Sequence, residues 1–252
     1  MIGIYFSGTG NTKHCIEKLL SFLDQNAEAV PMEDERAQKA VKENSFIILA
    51  YPVQYSNIPV MVRDFIRNAA SCWNGKQVLC MATMGMFSGD GTGCSARLLK
   101  KHGAAIMGGL QIHMPDSVCD SKLLKKSLET NQRIVLQADQ KIEAAAKQIK
   151  AGNYPKEGLG FFCHLAGLLG QRLWFYGKTL HYSNQLKIHS NCVGCGLCAS
   201  LCPMKNITMR NGKPVAKDHC TMCYRCISSC PQKAITLLGK EVYEQCRFER
   251  YI

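Results

Sequence analysis

Eight cysteines between residues 192 and 230 fall into two copies of one spacing. Cys192, Cys195, Cys198 and Cys202 precede Pro203; Cys220, Cys223, Cys226 and Cys230 precede Pro231. Each copy reads C-x2-C-x2-C-x3-C-P, a run whose thiolates ligate iron–sulfur cubanes. Three cysteines two residues apart share one tight loop and offer three thiolates to three corners of a cubane. The fourth begins a short helix pointing away, so it completes the other cluster. That logic assigns Cys192, Cys195, Cys198 and Cys230 to one [4Fe–4S] centre, and Cys220, Cys223, Cys226 and Cys202 to the other. Pro203 and Pro231 fix φ and remove an N–H just after the last ligand.

The repeat extends past the cysteines. Shifted by 28 positions, Lys205, Ile207 and Thr208 fall on Lys233, Ile235 and Thr236. Two small halves related by a pseudo-twofold predict that offset, with a strand after each run near 207–209 and 235–237. Zinc is a rival ligand, but structural zinc takes paired C-x2-C knuckles, and two uninterrupted triplets leave too many thiolates for it. Disulfides would want a secretory signal. The opening MIGIYFSGTG has no positive flank and no apolar h-region, so none is expected. Residues 186–240 resemble the bacterial two-cluster ferredoxins, which implies a small α+β domain, set here at 185–252.

The elements upstream must position something else. Ile2 to Phe6 is a short apolar run of strand type, leading into Ser7-Gly8-Thr9-Gly10-Asn11-Thr12 and then a helical pattern of Ile16, Leu19, Leu20 and Leu23. Strand, glycine- and hydroxyl-rich loop, helix start: this is an anion site, where backbone N–H groups and Ser/Thr hydroxyls face the ligand. The plain alternative is a hydroxyl-rich turn with an N-cap threonine. Neither G-x-x-x-x-G-K-[ST] nor G-x-G-x-x-G fits the loop. Further strands are predicted at 28–31, 46–50, 76–83 and 104–113, with helices near 60–70, 94–102 and 121–150. Five alternations give a doubly wound sheet whose ligand site lies at the carboxyl ends of its strands.

The loop at 7–12 resembles the phosphate loop of flavodoxins, whose pattern is T/S-x-T-G-x-T, and the resemblance covers residues 1–150. It implies a flavodoxin-like, doubly wound parallel five-stranded sheet binding FMN. By that resemblance Ser7, Thr9, Gly10, Asn11 and Thr12 hold the phosphate. Pro52, Val53, Gln54, Tyr55 and Asn57 flank the isoalloxazine on one loop. Thr83, Met84, Gly85, Phe87, Gly89 and Asp90 flank it on another. Tyr51, Tyr55 and Phe87 are candidates to stack on the ring, or to pack within their loops. The family's usual glycine beside flavin N5 is missing, and Asn57 is the residue there that best tolerates positive φ.

Composition bounds the rest. The 252 residues are 46% hydrophobic and 20% charged, as in a soluble globular protein. No 18 consecutive apolar residues occur, so no transmembrane helix is expected. Abundant cysteine without a signal fits a reducing, cytoplasmic setting. Residues 1–150 carry 18 basic and 14 acidic side chains, net +4; residues 151–252 carry 13 and 5, net +8. Such basicity suits acidic redox partners. Nucleic-acid binding is disfavoured because no aromatic-basic motif accompanies it.

Residues 151–184 read as a linker followed by an apolar segment, Leu159 to Tyr182, expected to pack between the domains rather than lie on a membrane surface. Cys80 and Cys163 read as inert core. Cys15 opens a helix, which lowers a thiol pKa. No nucleophile–base arrangement appears.

The whole chain resembles the flavodoxin–ferredoxin fusion proteins of anaerobic bacteria and archaea. That implies an electron-transfer protein with FMN and two [4Fe–4S] clusters. An FMN-dependent reductase of a small substrate and a redox-responsive binding module are the alternatives.

Overall fold

The computed structural model describes residues 1–175, 177 and 185–252. Five strands form one parallel sheet: β1 (Ile2–Tyr5), β2 (Ala29–Pro31), β3 (Phe46–Pro52), β4 (Gln77–Met84) and β5 (Ala105–His113). Their spatial order is β2-β1-β3-β4-β5, the flavodoxin-like order, with its switch point between β1 and β3. Burial on both faces explains why β1, β3 and β4 read as nearly unbroken apolar runs.

The period of two then sorts side chains between two cores. Ile47, Leu49 and Tyr51 point toward α2 (Ala37–Glu43), α3 (Val60–Asn68) and α4 (Gly91–Lys101). Ile48 and Ala50 point toward α1 (Asn11–Leu23) and α5 (Leu128–Lys150).

Several expectations need correction. The predicted helix 121–150 starts only at Leu128, where Ser127 caps it by accepting from the Thr130 N–H at 3.2 Å. Residues before it are held elsewhere, because Asp120 is bound to the cysteine-rich domain. The linker is not free either. Gly109 N–H donates to the Pro155 carbonyl (2.8 Å) and Glu157 N–H to that of Gly109 (2.9 Å). This stretch runs beside β5 as a parallel bridge and covers an otherwise open sheet edge.

The apolar segment forms α6 (Phe161–Gly167) and a π-helical turn, Leu168–Arg172. One side is pinned to the N-terminal domain by His164 and Arg172 on Asp90 and by Ser56 donating to Gln171 at 2.7 Å. Its other side is open: Phe162 is 82% and Trp174 71% exposed, so it is not enclosed between domains. Lys178, His181 and Tyr182 lie outside the described residues. Cys163 is half-buried rather than core, and burial drives the Cys15 thiol up, opposite to the helix-start expectation. Among the described residues no helix is long and apolar enough to cross a membrane.

The C-terminal unit contains two two-stranded antiparallel sheets. β6 (Lys187–Ile188) pairs with β9 (Ile235–Thr236), and β7 (Ile207–Arg210) with β8 (Lys213–Ala216). Short helices Leu197–Leu201 and Arg225–Ser229 each contain the third cysteine of a triplet and end at the fourth, so Cys202 and Cys230 close a helix rather than begin one as expected. The pseudo-twofold holds in detail. Lys205 and Lys233 share φ of 49°. Asn206 N–H donates to Cys202 Sγ (3.2 Å), as Ala234 N–H does to Cys230 Sγ (3.3 Å).

Candidate functional site

The loop between β1 and α1 opens on a cavity of about 260 Å³ at the carboxyl ends of the strands. Ser7, Gly8, Thr9, Asn11 and Thr12 line it. Helix α1 has no side-chain cap and no acidic residue in its first turn, so its leading N–H groups retain donor capacity toward the loop. Each polar side chain of the loop is held in place. Ser7 Oγ accepts from Gly10 N–H (3.2 Å), Thr9 Oγ1 meets Ser117 Oγ (2.8 Å), and Thr12 Oγ1 meets Thr83 Oγ1 (2.7 Å). Asn11 Nδ2 donates to the Pro115 carbonyl (2.7 Å), while its buried Oδ1 has no partner among the described residues. Neutral, rigid donors around an uncapped helix start suit a phosphate group.

Pro52, Val53, Gln54 and Tyr55 form one wall, and Thr83, Met84, Gly85 and Phe87 another. Gly10, Asn57, Gly89 and Asp90, predicted beside them, lie outside the lining. Gly10 acts instead as the N-cap of α1 at φ 100°. Asp90 is fully buried, its carboxylate taken by Arg97 (2.6 Å), His164 (2.8 Å) and Arg172. Tyr51 is not a stacking residue: strand parity carries it into the α3–α4 core, where its hydroxyl donates to Gly91 O (2.8 Å) and Ser95 Oγ (2.6 Å).

Asn57, the residue of this loop that best tolerates positive φ, does not adopt it. Tyr55 (50°) and Ser56 (56°) do, closing a two-residue turn between reciprocal Gln54–Asn57 hydrogen bonds of 3.0 and 2.9 Å. Tyr55 is stacked on Phe175 at 4.8 Å between centroids.

Sequence reasoning missed two walls. One is Met114 to Val118, just past β5, where burial raises the carboxyl of Asp116 against the 2.8 Å bond it accepts from Val118 N–H. Only its position at a strand's carboxyl end marked that loop. The other is Met222, Cys223 and Tyr224, from the second cysteine triplet. No signal within either domain revealed that contact.

Cys202, Cys220, Cys223 and Cys226 surround a second, smaller cavity, closed by Ile207, Ile227 and Leu237. Cys202 thus stands with the triplet of the other run. Burial raises Cys220 and Cys226 and pushes Cys223 up to about 12, since a lone thiolate is costly in that apolar setting. Among the described residues no three His, Cys, Asp or Glu side chains already stand in metal-holding geometry, but a cationic metal core reverses that cost, and four thiols on one cavity suit a cluster. In the first set burial also raises Cys198, with Cys192 and Cys195 nearby adding to it, while Cys195 itself is exposed.

The two cavities touch. A Cβ on Gly8 would sit 1.8 Å from the Cys223 carbonyl oxygen, so only glycine allows this approach of phosphate loop and cysteine loop. Arg225 donates to Ser7 O (2.7 Å) and to Glu33 (2.5 Å); Gln54 Nε2 donates to Thr221 O (2.8 Å). Tyr224 donates to Asp120 Oδ1 (3.0 Å), whose other oxygen accepts the N–H groups of Leu237, Leu238 and Gly239 at 2.6, 2.9 and 3.0 Å. Finally Phe248 N–H donates to Thr9 O (2.9 Å), and its ring stacks on His14 at 4.2 Å.

This is a doubly wound flavodoxin-like sheet bearing a small cysteine-rich domain. Residues 191–234 match the 4Fe-4S dicluster domain family. Among solved structures, the chain is similar to the two-electron reduced flavodoxin of Megasphaera elsdenii: 24% identity, 58% of this chain and 99% of that one, TM-score 0.43. It is similar to the oxidised flavodoxin 2 of Bacillus cereus at 17% identity, 60% of this chain and 97% of that one, TM-score 0.44. A Fusobacterium nucleatum flavodoxin bound to flavin mononucleotide gives 17% identity, 60% of this chain and 96% of that one, TM-score 0.41. No curated protein matches the chain. The polypeptide joins a flavodoxin-like sheet to a segment that matches the 4Fe–4S dicluster domain family.

Proposed function

We propose that the chain holds FMN and two [4Fe–4S] clusters and passes electrons between the clusters and the flavin, exchanging them with a redox partner protein. One observation carries this reading: Cys223 lines both the thiol-walled cavity and the larger cavity beside the phosphate loop. Cys192, Cys195, Cys198 and Cys230 would hold one cluster; Cys202, Cys220, Cys223 and Cys226 would hold the other.

Ser7, Thr9, Asn11 and Thr12 would bind the phosphate, with Val53, Gln54, Tyr55, Met84, Gly85 and Phe87 around the ring. Clusters supply one-electron chemistry and a flavin one- or two-electron chemistry. The chain's own contribution is to fix the distance between them through Gly8, Gln54 and Arg225, and to keep water from the inner thiols.

Purification without oxygen, followed by iron, sulfide and flavin determination, tests the reading. About eight iron and eight sulfide per chain are expected, with one FMN. Fewer than about six iron, or failure to reconstitute the flavin, overturns it.

A further inference from the structure

Two copies of one ligand motif meet different surroundings. The inner triplet loop is covered, while the outer one carries an exposed ligand, Cys195. Around Cys195 lie exposed apolar side chains, Val193 (66%), Leu197 (38%) and Met209 (38%). The hairpin β7–β8 belongs to the same end of the domain: a Cβ on Gly194 would lie 2.2 Å from the Gly212 carbonyl, and Gly196 faces Met209.

At the hairpin tip Arg210 and Lys213 stand directly opposite one another in the ladder. Like charges so placed repel. Both are exposed, and neither forms a salt bridge among the described residues. Asn211 and Gly212, at φ 49° and 73°, hold the tip in a two-residue turn, so the paired cations are fixed there. Residues 185–218 carry five lysine or arginine side chains against one aspartate.

An apolar centre with an unneutralised cationic rim, over a half-exposed metal-ligand loop, is complementary to an acidic protein surface. We propose that this face, around Cys195 and the Arg210–Lys213 tip, is the docking port for an acidic one-electron carrier protein. The set containing Cys223 is then the inner relay to the larger cavity. The inference rests on the electron-transfer reading above and adds the entry point and the direction of the path.

The test uses the chain with its clusters and flavin in place. The probe is a reduced acidic ferredoxin mixed with it in a stopped-flow instrument, and reduced methyl viologen serves as the small reductant. For the native chain the ferredoxin rate should fall steeply with salt. The double variant Arg210→Glu, Lys213→Glu should lose about tenfold in that rate at low salt and most of its salt dependence. Its iron content, flavin content and viologen rate should match the native chain. Reversing two exposed lysines at the end of α4, Lys100→Glu and Lys101→Glu, should change the ferredoxin rate by less than about twofold.

A double variant still within about twofold of native, or a salt-independent native rate, overturns the port. If the native chain retains neither clusters nor flavin, the electron-transfer reading itself fails, and metal analysis separates that outcome from the first.

Discussion

The loops at 192–202 and 220–230 share their ligand spacing and their backbone, yet they serve different ends. Gly194 and Gly196 take φ of 71° and 77°; their counterparts Met222 and Tyr224 take 53° and 61°. The outer copy meets this left-handed requirement with glycine, at little cost. The inner copy meets it with side chains that disfavour it, each costing on the order of 1–2 kcal/mol. What it gains is contact. Tyr224 is buried on Asp120, and Met222 lines the large cavity. Thr221 is 3% exposed where its counterpart Val193 is 66% exposed. Conformational strain in a repeat therefore marks the copy whose side chains are committed to a neighbour.

Removing a ligand from each copy should separate them most sharply. Cys195→Ala is expected to leave about four iron per chain, with flavin affinity within about twofold of native. Cys223→Ala should lose the same iron and also weaken flavin binding by at least about tenfold, measured by flavin fluorescence on titration. Equal flavin loss in both variants would remove the distinction.

A chelator under mild oxidation should bleach the visible absorption in two phases, the exposed outer set first. A single phase would show that burial does not protect the inner set. Gly8→Ala forces a Cβ onto the Cys223 carbonyl and should cost about 3 kcal/mol in thermal or denaturant unfolding. At Gly196 the nearest atom, of Met209, is 4.0 Å away, so Gly196→Ala should cost only about 1 kcal/mol, from φ alone. A comparable effect is expected for Tyr224→Phe. Asp120 keeps its three backbone N–H bonds and loses one hydroxyl, about 1 kcal/mol. A change within experimental error would mean that the strained Tyr224 is retained for its ring alone.

Much of this was legible because local chemistry dictates it. Cluster ligation demands its cysteine spacing, and buried parallel strands demand continuous apolar runs, so the eight cysteines and the five-strand sheet could be read directly. Tyr51 was misread because the end of β3, Tyr51 and Pro52, was treated as loop, although parity with Ile47 and Leu49 already turned Tyr51 inward. Asp90 was misread because its partners, His164 and Arg172, come from a distant segment. The helix before Leu128 was overextended because an amphipathic pattern does not reveal that Asp120 is bound elsewhere. The contact of Gly8 with Cys223 was invisible for the same reason. Each half reads clearly by itself, and nothing in either announces the other.

The hydrogen bond from Phe248 to Thr9 has a consequence for biosynthesis. The loop at 7–12 leaves the ribosome well before Phe248, the residue that buttresses it. The pocket's rim is thus incomplete until the cysteine-rich unit and Phe248 have emerged, so the first cavity wall to be made waits on chain synthesised much later.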